Sequence, residues 1–318
     1  MDIKIIVRQP GGIERMAVEA CPPKDPGPEE IRLRHHAIGV NFVDVYLRRG
    51  LYTLPPSAEL GVEGAGIVEA VGTGVTHLKA GDRIAYAGYP VGAYSSTRLL
   101  PAGRALLLPD DIPFTLAAAS MLKGLTAHML LTVTFPVGPG SRILVHAAAG
   151  GLGSILTRWA KHLGAEVIGA VGTPQKAELA LANGADQVIV GRDADLVGEI
   201  GRLTGGTGVD FIVDGIGGTT LLQSLASLSP SGLVASIGQA AGSIPEIPEH
   251  LSAKLVRPSV LSYSVDVGHY ATGGNEVLKG LQSGAIKVSS RNYALFDAAL
   301  AHTDLEAGRS SGSLLLIP

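Results

Sequence analysis

ILVHAAAGGLGSIL, Ile143 to Leu156, runs an apolar strand pattern into a glycine turn and out into a second apolar run. Such a turn either cradles the phosphates of a ligand or only lets a strand and a helix pack closely. Its spacing, Ala148-x-Gly150-x-x-Gly153, is that of a dinucleotide-binding turn with Ala in the first place. In that turn one glycine makes the bend and the next lets backbone N–H groups approach a pyrophosphate. The third lets helix and strand close up. The helix N-terminus adds unpaired donors and a partial positive charge. The spacing alone is a weak signal, and context strengthens it. The turn follows a strand pattern and opens a helical one, and the next strand pattern, AEVIGAVG, arrives about twenty residues on. Ala149, Gly150, Gly151, Leu152 and Gly153 are therefore expected to meet a dinucleotide.

The surrounding chain has the matching rhythm. SRILVHAAAG, AEVIGAVG, ADQVIV, VDFIVDGIG and GLVASIG read as five apolar strands. GSILTRWAKHLG, TPQKAELALANG and TTLLQSLASLSPSG read as helices between them, with Gly164 and Gly184 as left-handed caps. Strand–helix alternation with near-continuous apolar strands predicts a parallel sheet covered on both faces. Before about Lys123 the chain is β-rich: KIIVRQPGG, EIRLRHHAIGVN, GAGIVEAVG and DRIAYAG are short apolar or alternating runs, and Ala80–Asp82 is a tight turn. After about Ser262 the pattern is mixed and ends in GSLLLIP, a final strand.

The end of the second parallel strand bears on which dinucleotide. An NAD site places Asp or Glu there for the ribose 2′-hydroxyl. Here AVGTPQK has no acid between Ala170 and Lys176. The missing carboxylate removes repulsion against a 2′-phosphate, while Thr173 and Lys176 offer a hydroxyl and a cation. Arg192, just past the next strand, is placed to approach the same corner. NADPH is favoured over NADH; the alternative for Lys176 is a solvated helix residue.

Composition closes off other classes. The 318 residues exceed one typical domain, and 46% hydrophobic with 17% charged residues can bury a large core. A net charge of −3 without a basic run gives nucleic-acid binding no electrostatic support. The single cysteine, Cys21, excludes an intramolecular disulfide framework and a zinc site of several thiolates. MDIKIIVRQPGG begins as a strand carrying charges rather than as a secretory signal. No stretch approaches the ~18 uninterrupted apolar residues of a membrane span. A cytoplasmic chain without a membrane partner is expected.

A nucleotide domain preceded by a β-rich one resembles the medium-chain dehydrogenase/reductase superfamily over essentially the whole chain. GVNFVDVYLRRGLY (39–52) and GVEGAGIVEAVGTGV (61–75) carry the resemblance beside the glycine turn. In the superfamily's zinc enzymes the second motif begins Gly-His-Glu and the first has a Cys before its Asp, both zinc ligands. Here Val62 stands at the His and Asn41 at the Cys. Valine cannot coordinate a metal and asparagine is a poor zinc ligand. No metal is expected.

GLYTLP (50–55), GAYSS (92–96), MLKGLTAH (121–128), HAAAGGLG (146–153), LGAEVIGAVGTPQK (163–176) and GSLLLIP (312–318) are similar to segments of the zinc-independent quinone oxidoreductase, or zeta-crystallin-like, family. The resemblance implies an α/β fold in which a doubly wound parallel-sheet (Rossmann) cofactor domain, 123–261, is inserted in a β-rich GroES-like catalytic domain, 1–122 and 262–318. It implies an active site in the interdomain cleft and a homodimer joined through the cofactor domains. It places Asn41, Tyr46, Tyr52 and Thr126 around the nicotinamide and substrate. Further cofactor contacts are implied at Gly172, Gly215, Ile237, Gln239, Ser259 and Arg309. The chain departs from the family's usual pattern at Arg158 (Gln), Gly191 (Tyr), Ile237 (an aromatic) and Gln239 (Asn).

On this reading NADPH supplies the hydride and the protein positions it. Hydrogen-bond donors would stabilise the developing oxyanion of a reduced quinone or enone. Tyr46 and Tyr52 can stack on a flat conjugated substrate and donate a hydrogen bond. Each has a plainer alternative: Asn41 satisfying a turn, either tyrosine standing at a core edge. Lys123 reads as structural or cofactor-adjacent. His35 and His36, adjacent on a strand, face opposite sides and do not act together. Asp44 and Asp214 read as turn or helix-start residues, and no serine has a base in suitable context. The activity expected is NADPH-dependent quinone reduction, with enal or enone C=C reduction as the alternative. An NADPH-binding RNA-binding or crystallin-like protein is the alternative of another class.

Overall fold

Alternation in EIRLRHHAIGV commits Glu30–Val40 to a strand, with Ile31, Leu33 and His35 buried while Arg32, Arg34 and His36 face outward. Its last four residues, Ala37 to Val40, are all buried, so both faces of the sheet are covered there. The computed structural model describes residues 1–54 and 58–318; Pro55, the end of the GLYTLP segment, lies outside them. The chain forms two compact units. One comprises Met1–Leu125, Ser264–Ser283 and Val288–Pro318, the other Thr126–Tyr263 and Gly284–Lys287.

In the first unit a mixed sheet runs Ser290–Ala294, Ser313–Ile317, Glu30–Val40, Glu63–Val71, Arg83–Ala87, Leu106–Leu107, with Thr97–Pro101 also on Glu30–Val40. All pairings are antiparallel except Ser290–Ala294 with Ser313–Ile317. Ile3–Val7 and Met16–Ala20 make a separate antiparallel pair. Met16–Ala20 has no buried residue, which is why its sequence carries no strand signal.

The second unit holds a six-stranded parallel sheet: Gln187–Val190, Glu166–Val171, Arg142–His146, Val209–Asp214, Leu228–Ser236, Leu255–Val256. The chain starts at Arg142–His146, builds outward on one side, then returns to build on the other. The order reverses beside Arg142–His146, and ligands of such sheets bind outside the carboxyl ends of the strands at this reversal. Leu144, Ile168, Ile189, Ile212 and Val234 from the strands pack with Leu196, Ile200, Leu221 and Leu225 from the helices. Near-continuous apolar strands buried on both faces are what this architecture requires.

One predicted helix is shorter than its sequence suggests. TTLLQSLASLSPSG is helical only to Ala226, and Leu228 already belongs to the next strand. Pro230 lacks an N–H and cannot sit in a helix interior. The surplus residues are absorbed as a register shift, Val209 pairing with Leu228 but Phe211 with Leu233. The strand Leu255–Val256 and the helix Leu196–Thr204 also escape the sequence pattern. The helix is interrupted by Gly198 and Gly201 and is started instead by Asp195, whose Oδ1 accepts the Gly198 N–H at 3.0 Å. Helical structure runs unbroken over Phe114–Thr134, ending in a π-helical stretch at Met129–Thr134. By length and composition it would cross a membrane, but most of it is buried within the chain, as for a core helix.

The strand–helix junction sets the tightest limit. A Cβ at Gly153 would lie 2.2 Å from the Ala147 carbonyl oxygen and 2.8 Å from Ala148 Cα, both backbone atoms. Gly150 is easier, its Cβ meeting the same oxygen at 3.1 Å. Gly153→Ala is expected to destabilise the protein by ~1–3 kcal/mol, the scale of overpacking, and Gly150→Ala by clearly less. Thermal unfolding of the two variants checks this; equal losses would contradict the packing account.

Candidate functional site

The strand Arg142–His146 ends in a bend made by Ala147, a non-glycine residue at φ 49°. Its carbonyl accepts the Gly150 N–H at 2.8 Å. Helix Gly151–His162 starts from an extended Gly150 with no side-chain cap. An uncapped first turn presents N–H donors and the positive end of the helix dipole. Ala149, Gly150, Gly151, Leu152 and Gly153 all lie on this turn.

Next along the sheet, Glu166–Val171 leads into Gly172 and Thr173. Thr173 Oγ1 accepts the Lys176 N–H at 3.3 Å and caps helix Pro174–Ala182, with Pro174 at the favoured first position. Arg192 reaches this corner from the following strand: a Cβ on Gly172 would meet its Cγ at 3.4 Å and Nε at 3.5 Å. Burial, and then the charge of Arg192, push the Lys176 ammonium below the ordinary lysine range. Two cations held side by side are an arrangement that a bound anion relieves. Gly191 adopts φ +125°, where a side chain is strained, so Tyr has no simple place there.

On the other side of the reversal, Asp214 Oδ1 accepts the N–H groups of Ile216 (2.8 Å) and Gly217 (3.0 Å). The Asp214 carbonyl accepts the Ile237 N–H at 2.8 Å. A Cβ on Gly215 would lie 3.9 Å from Ile237 Cγ1, and one on Gly217, at φ +74°, 2.9 Å from Gln239 Cα. Gly215, Ile237 and Gln239 are thus brought together. Thr126 is buried. Ser259 is exposed, its oxygens accepting from Ser262 and Tyr263 N–H groups. Arg309 belongs to the other unit, where its Nε donates to Asp304 at 3.0 Å.

One serine does meet a base. Ser224 Oγ lies 2.9 Å from His146 Nε2 and donates to Asp214 Oδ2 at 2.9 Å. It is fully buried and its proton goes to the carboxylate, so it ties two strands together and is no nucleophile.

In the first unit, Asn41 begins helix Phe42–Arg49 and its N–H donates to Asp44 Oδ2 at 2.9 Å. Tyr46 is buried and Tyr52 half exposed, their rings meeting edge to face at 5.6 Å. Asn41 Nδ2 donates to Glu63 Oε1 at 2.7 Å, and Lys123 Nζ donates to the same oxygen at 3.0 Å. The Leu122 N–H donates to Glu63 Oε2 at 2.7 Å. Sequence reasoning did not single out Glu63, although a charge within the apolar run GVEGAGIV is itself a sign of a buried pair. Val62 is fully buried, and among the described residues no three His, Cys, Asp or Glu side chains group closely enough to hold a metal. His35 is buried between the Ser95 carbonyl and Tyr86 hydroxyl, whereas His36 is exposed against Phe114.

Asp44 is fully buried, accepting from Asn41 and from the Tyr94 hydroxyl at 3.1 Å. Burial raises its carboxyl from the ordinary 3.8 to about 7, against the lowering effect of those two donors. Between those values the folded chain keeps a proton that the unfolded chain has lost. Its contribution to stability therefore falls as pH rises from about 4 to about 7, by about 1.4 kcal/mol for each pH step crossed, and is flat above. Buried His35 and His302, lowered to about 3, act oppositely: the stability they contribute is lost as pH falls below the ordinary 6.5. Both histidines remain in Asp44→Asn. The melting-temperature difference, wild type minus variant, is expected to fall from pH 4 to pH 7; a pH-independent difference would contradict the assignment.

Comparison with known proteins places the chain in a family. The alcohol dehydrogenase GroES-like domain family matches residues 27–110, and the zinc-binding dehydrogenase family matches 151–287. Quinone oxidoreductase 1 of Escherichia coli (strain K12) is 43% identical, all of both chains being covered. 2-Haloacrylate reductase of Burkholderia sp is 37% identical over 100% of this chain and 99% of the relative. The crystal structure of Escherichia coli quinone oxidoreductase complexed with NADPH superimposes with a TM-score of 0.95 at 43% identity, covering 99% of this chain and 100% of that one. A GroES-like unit, a parallel-sheet nucleotide unit and end-to-end identity of this order show that the chain belongs to the quinone oxidoreductase family of medium-chain dehydrogenases/reductases.

Proposed function

We propose that this chain reduces quinones with NADPH, without zinc. The observation that carries the reading is the paired-cation corner of Lys176 and Arg192 beside the uncapped glycine turn. It occurs in a chain 43% identical to a quinone oxidoreductase whose crystal structure holds NADPH. The residues fit the cofactor. The extended, uncapped Gly150 leaves the helix N-terminus open to a pyrophosphate. Thr173, Lys176 and Arg192 supply a hydroxyl and two cations for the 2′-phosphate. Gly172, Gly215, Ile237, Gln239, Thr126, Ser259 and Arg309 are the further contacts proposed.

Bound NADPH supplies the hydride. Asn41 donates hydrogen bonds from an amide fixed by Glu63, and Tyr46 and Tyr52 offer ring faces and hydroxyls to a flat conjugated acceptor. At the zinc-ligand places of the superfamily stand Asn41, a poor zinc ligand, and Val62, which has no atom to ligate a metal; this supports reaction without zinc. The homodimer and cytoplasmic setting implied by the resemblance belong to the same reading. The similarity to 2-haloacrylate reductase favours one second reading, reduction of a conjugated C=C bond.

Titration with NADPH and NADH, followed by turnover of 9,10-phenanthrenequinone and a medium-chain enal, tests both readings. NADPH is expected to bind more tightly. Lys176→Ala and Arg192→Ala should each weaken NADPH about tenfold or more while leaving NADH little changed, the scale of a hydrogen bond to a charged group. Equal binding of the two cofactors would overturn the 2′-phosphate assignment, and turnover of the enal alone would overturn the quinone assignment.

A further inference from the structure

Glu63 is fully buried, and its hydrogen bonds converge on one corner of the first unit. Oε1 accepts from both Asn41 Nδ2 (2.7 Å) and Lys123 Nζ (3.0 Å), and Oε2 accepts from the Leu122 N–H (2.7 Å). Gly39 leaves the space for this, since a Cβ there would lie 2.1 Å from Oε1. Two nitrogens bonded to one oxygen must stand next to each other. Within the ion pair the Lys123 side chain retains 11% exposure while Glu63 has none, so the pair meets the accessible side through the lysine. An ammonium carries three N–H groups and a primary amide two. With one of each spent on Oε1, the remaining N–H groups are available to a further acceptor.

We propose that Lys123 and Asn41 form a donor pair for the substrate oxygen on which negative charge develops, with Glu63 as the positioning residue that holds both. The proposal rests on the reading of the chain as an NADPH-dependent reductase. In that reaction the hydride adds to the conjugated acceptor and its electron pair ends on a carbonyl oxygen. Lys123 and Asn41 hydrogen-bond that oxyanion without giving up a proton, and water supplies the proton that completes the hydroquinone. The balance is quinone, NADPH and one proton giving hydroquinone and NADP⁺. A cation fixed beforehand by a buried carboxylate needs no reorganisation as charge develops, which is the condition under which such donors act strongly.

Lys123→Met alone strands a buried carboxylate and threatens folding. The test therefore uses the Glu63→Gln/Lys123→Met double variant, which removes both charges at nearly constant shape, together with Lys123→Arg. With melting temperature and NADPH affinity close to wild type, kcat for 9,10-phenanthrenequinone should fall about 10²-fold in the double variant, the effect of losing an oxyanion donor. Lys123→Arg should recover at least about tenfold of that loss. A second readout needs no cofactor: 4-nitrophenol bound to the wild-type protein should titrate at lower pH than free 4-nitrophenol, and in the double variant this difference should vanish. Retention of kcat, a loss explained by lower NADPH affinity or unfolding, or a probe whose titration is unchanged on binding to wild type would each overturn the proposal. Wild-type protein that oxidises no NADPH with any acceptor, yet lowers the titration of the phenol, would overturn the functional reading and leave the donor pair standing.

Discussion

The contact between the Ala147 carbonyl and the backbone of Gly153 is the constraint on which the nucleotide unit depends. It lets the first helix leave the central strand at so short a distance that only hydrogen fits at residue 153. That closeness aims the helix N-terminus at the space above the strand ends, where the sheet order reverses. The other glycine-rich bends follow the same logic. Gly217 passes against Gln239, and Gly172 lies under Arg192, because the ends of neighbouring parallel strands crowd one another there. Close backbone approaches thus recur at the ends of three adjacent strands of this unit, Arg142–His146, Glu166–Val171 and Val209–Asp214.

Charge is handled differently in the two units. At Lys176 and Arg192 two cations stand in the same corner near the surface, and the charge of Arg192 lowers the Lys176 ammonium. In the first unit several charges are buried against a partner of opposite sign. Glu63 faces Lys123, and Arg48, itself buried, donates to Glu306 at 2.6 Å. Among the described residues Asp44 has no cationic hydrogen-bond partner and instead accepts from Asn41 and Tyr94, so burial prevails and its carboxyl holds a proton to about pH 7. Glu63 and Lys123 lie 60 residues apart and Arg48 and Glu306 lie 258 apart, so these two ion pairs tie distant segments of the unit together.

What could be read from the chain alone follows from how local the physics is. Parallel strands buried on both faces write themselves as unbroken apolar runs, and five of the six were legible for that reason. Leu255–Val256, two half-buried residues long, leaves no such run. The helix boundary at Ala226 was misplaced because the register shift that begins the next strand depends on pairing with Val209 rather than on any local signal. The same limit governs the Asn41 corner. Asn41 stands out by its position in a motif, but Glu63 and Lys123 lie 22 and 60 residues from their respective partners, Asn41 and Glu63. Only folding brings them to one point, so the residue that orders the corner was invisible until the strands were paired.

In the proposed function the turn from Ala147 to Gly153 receives the pyrophosphate of NADPH. Amide hydrogen exchange of the purified protein, with and without saturating NADPH, tests it most directly. Exchange is expected to slow at Ala149 to Gly153 and around Thr173 to Lys176, at the helix N-termini proposed to hold the phosphates. Protection confined to other strand ends, with exchange at Ala149 to Gly153 unchanged by a cofactor that is demonstrably bound, would contradict it.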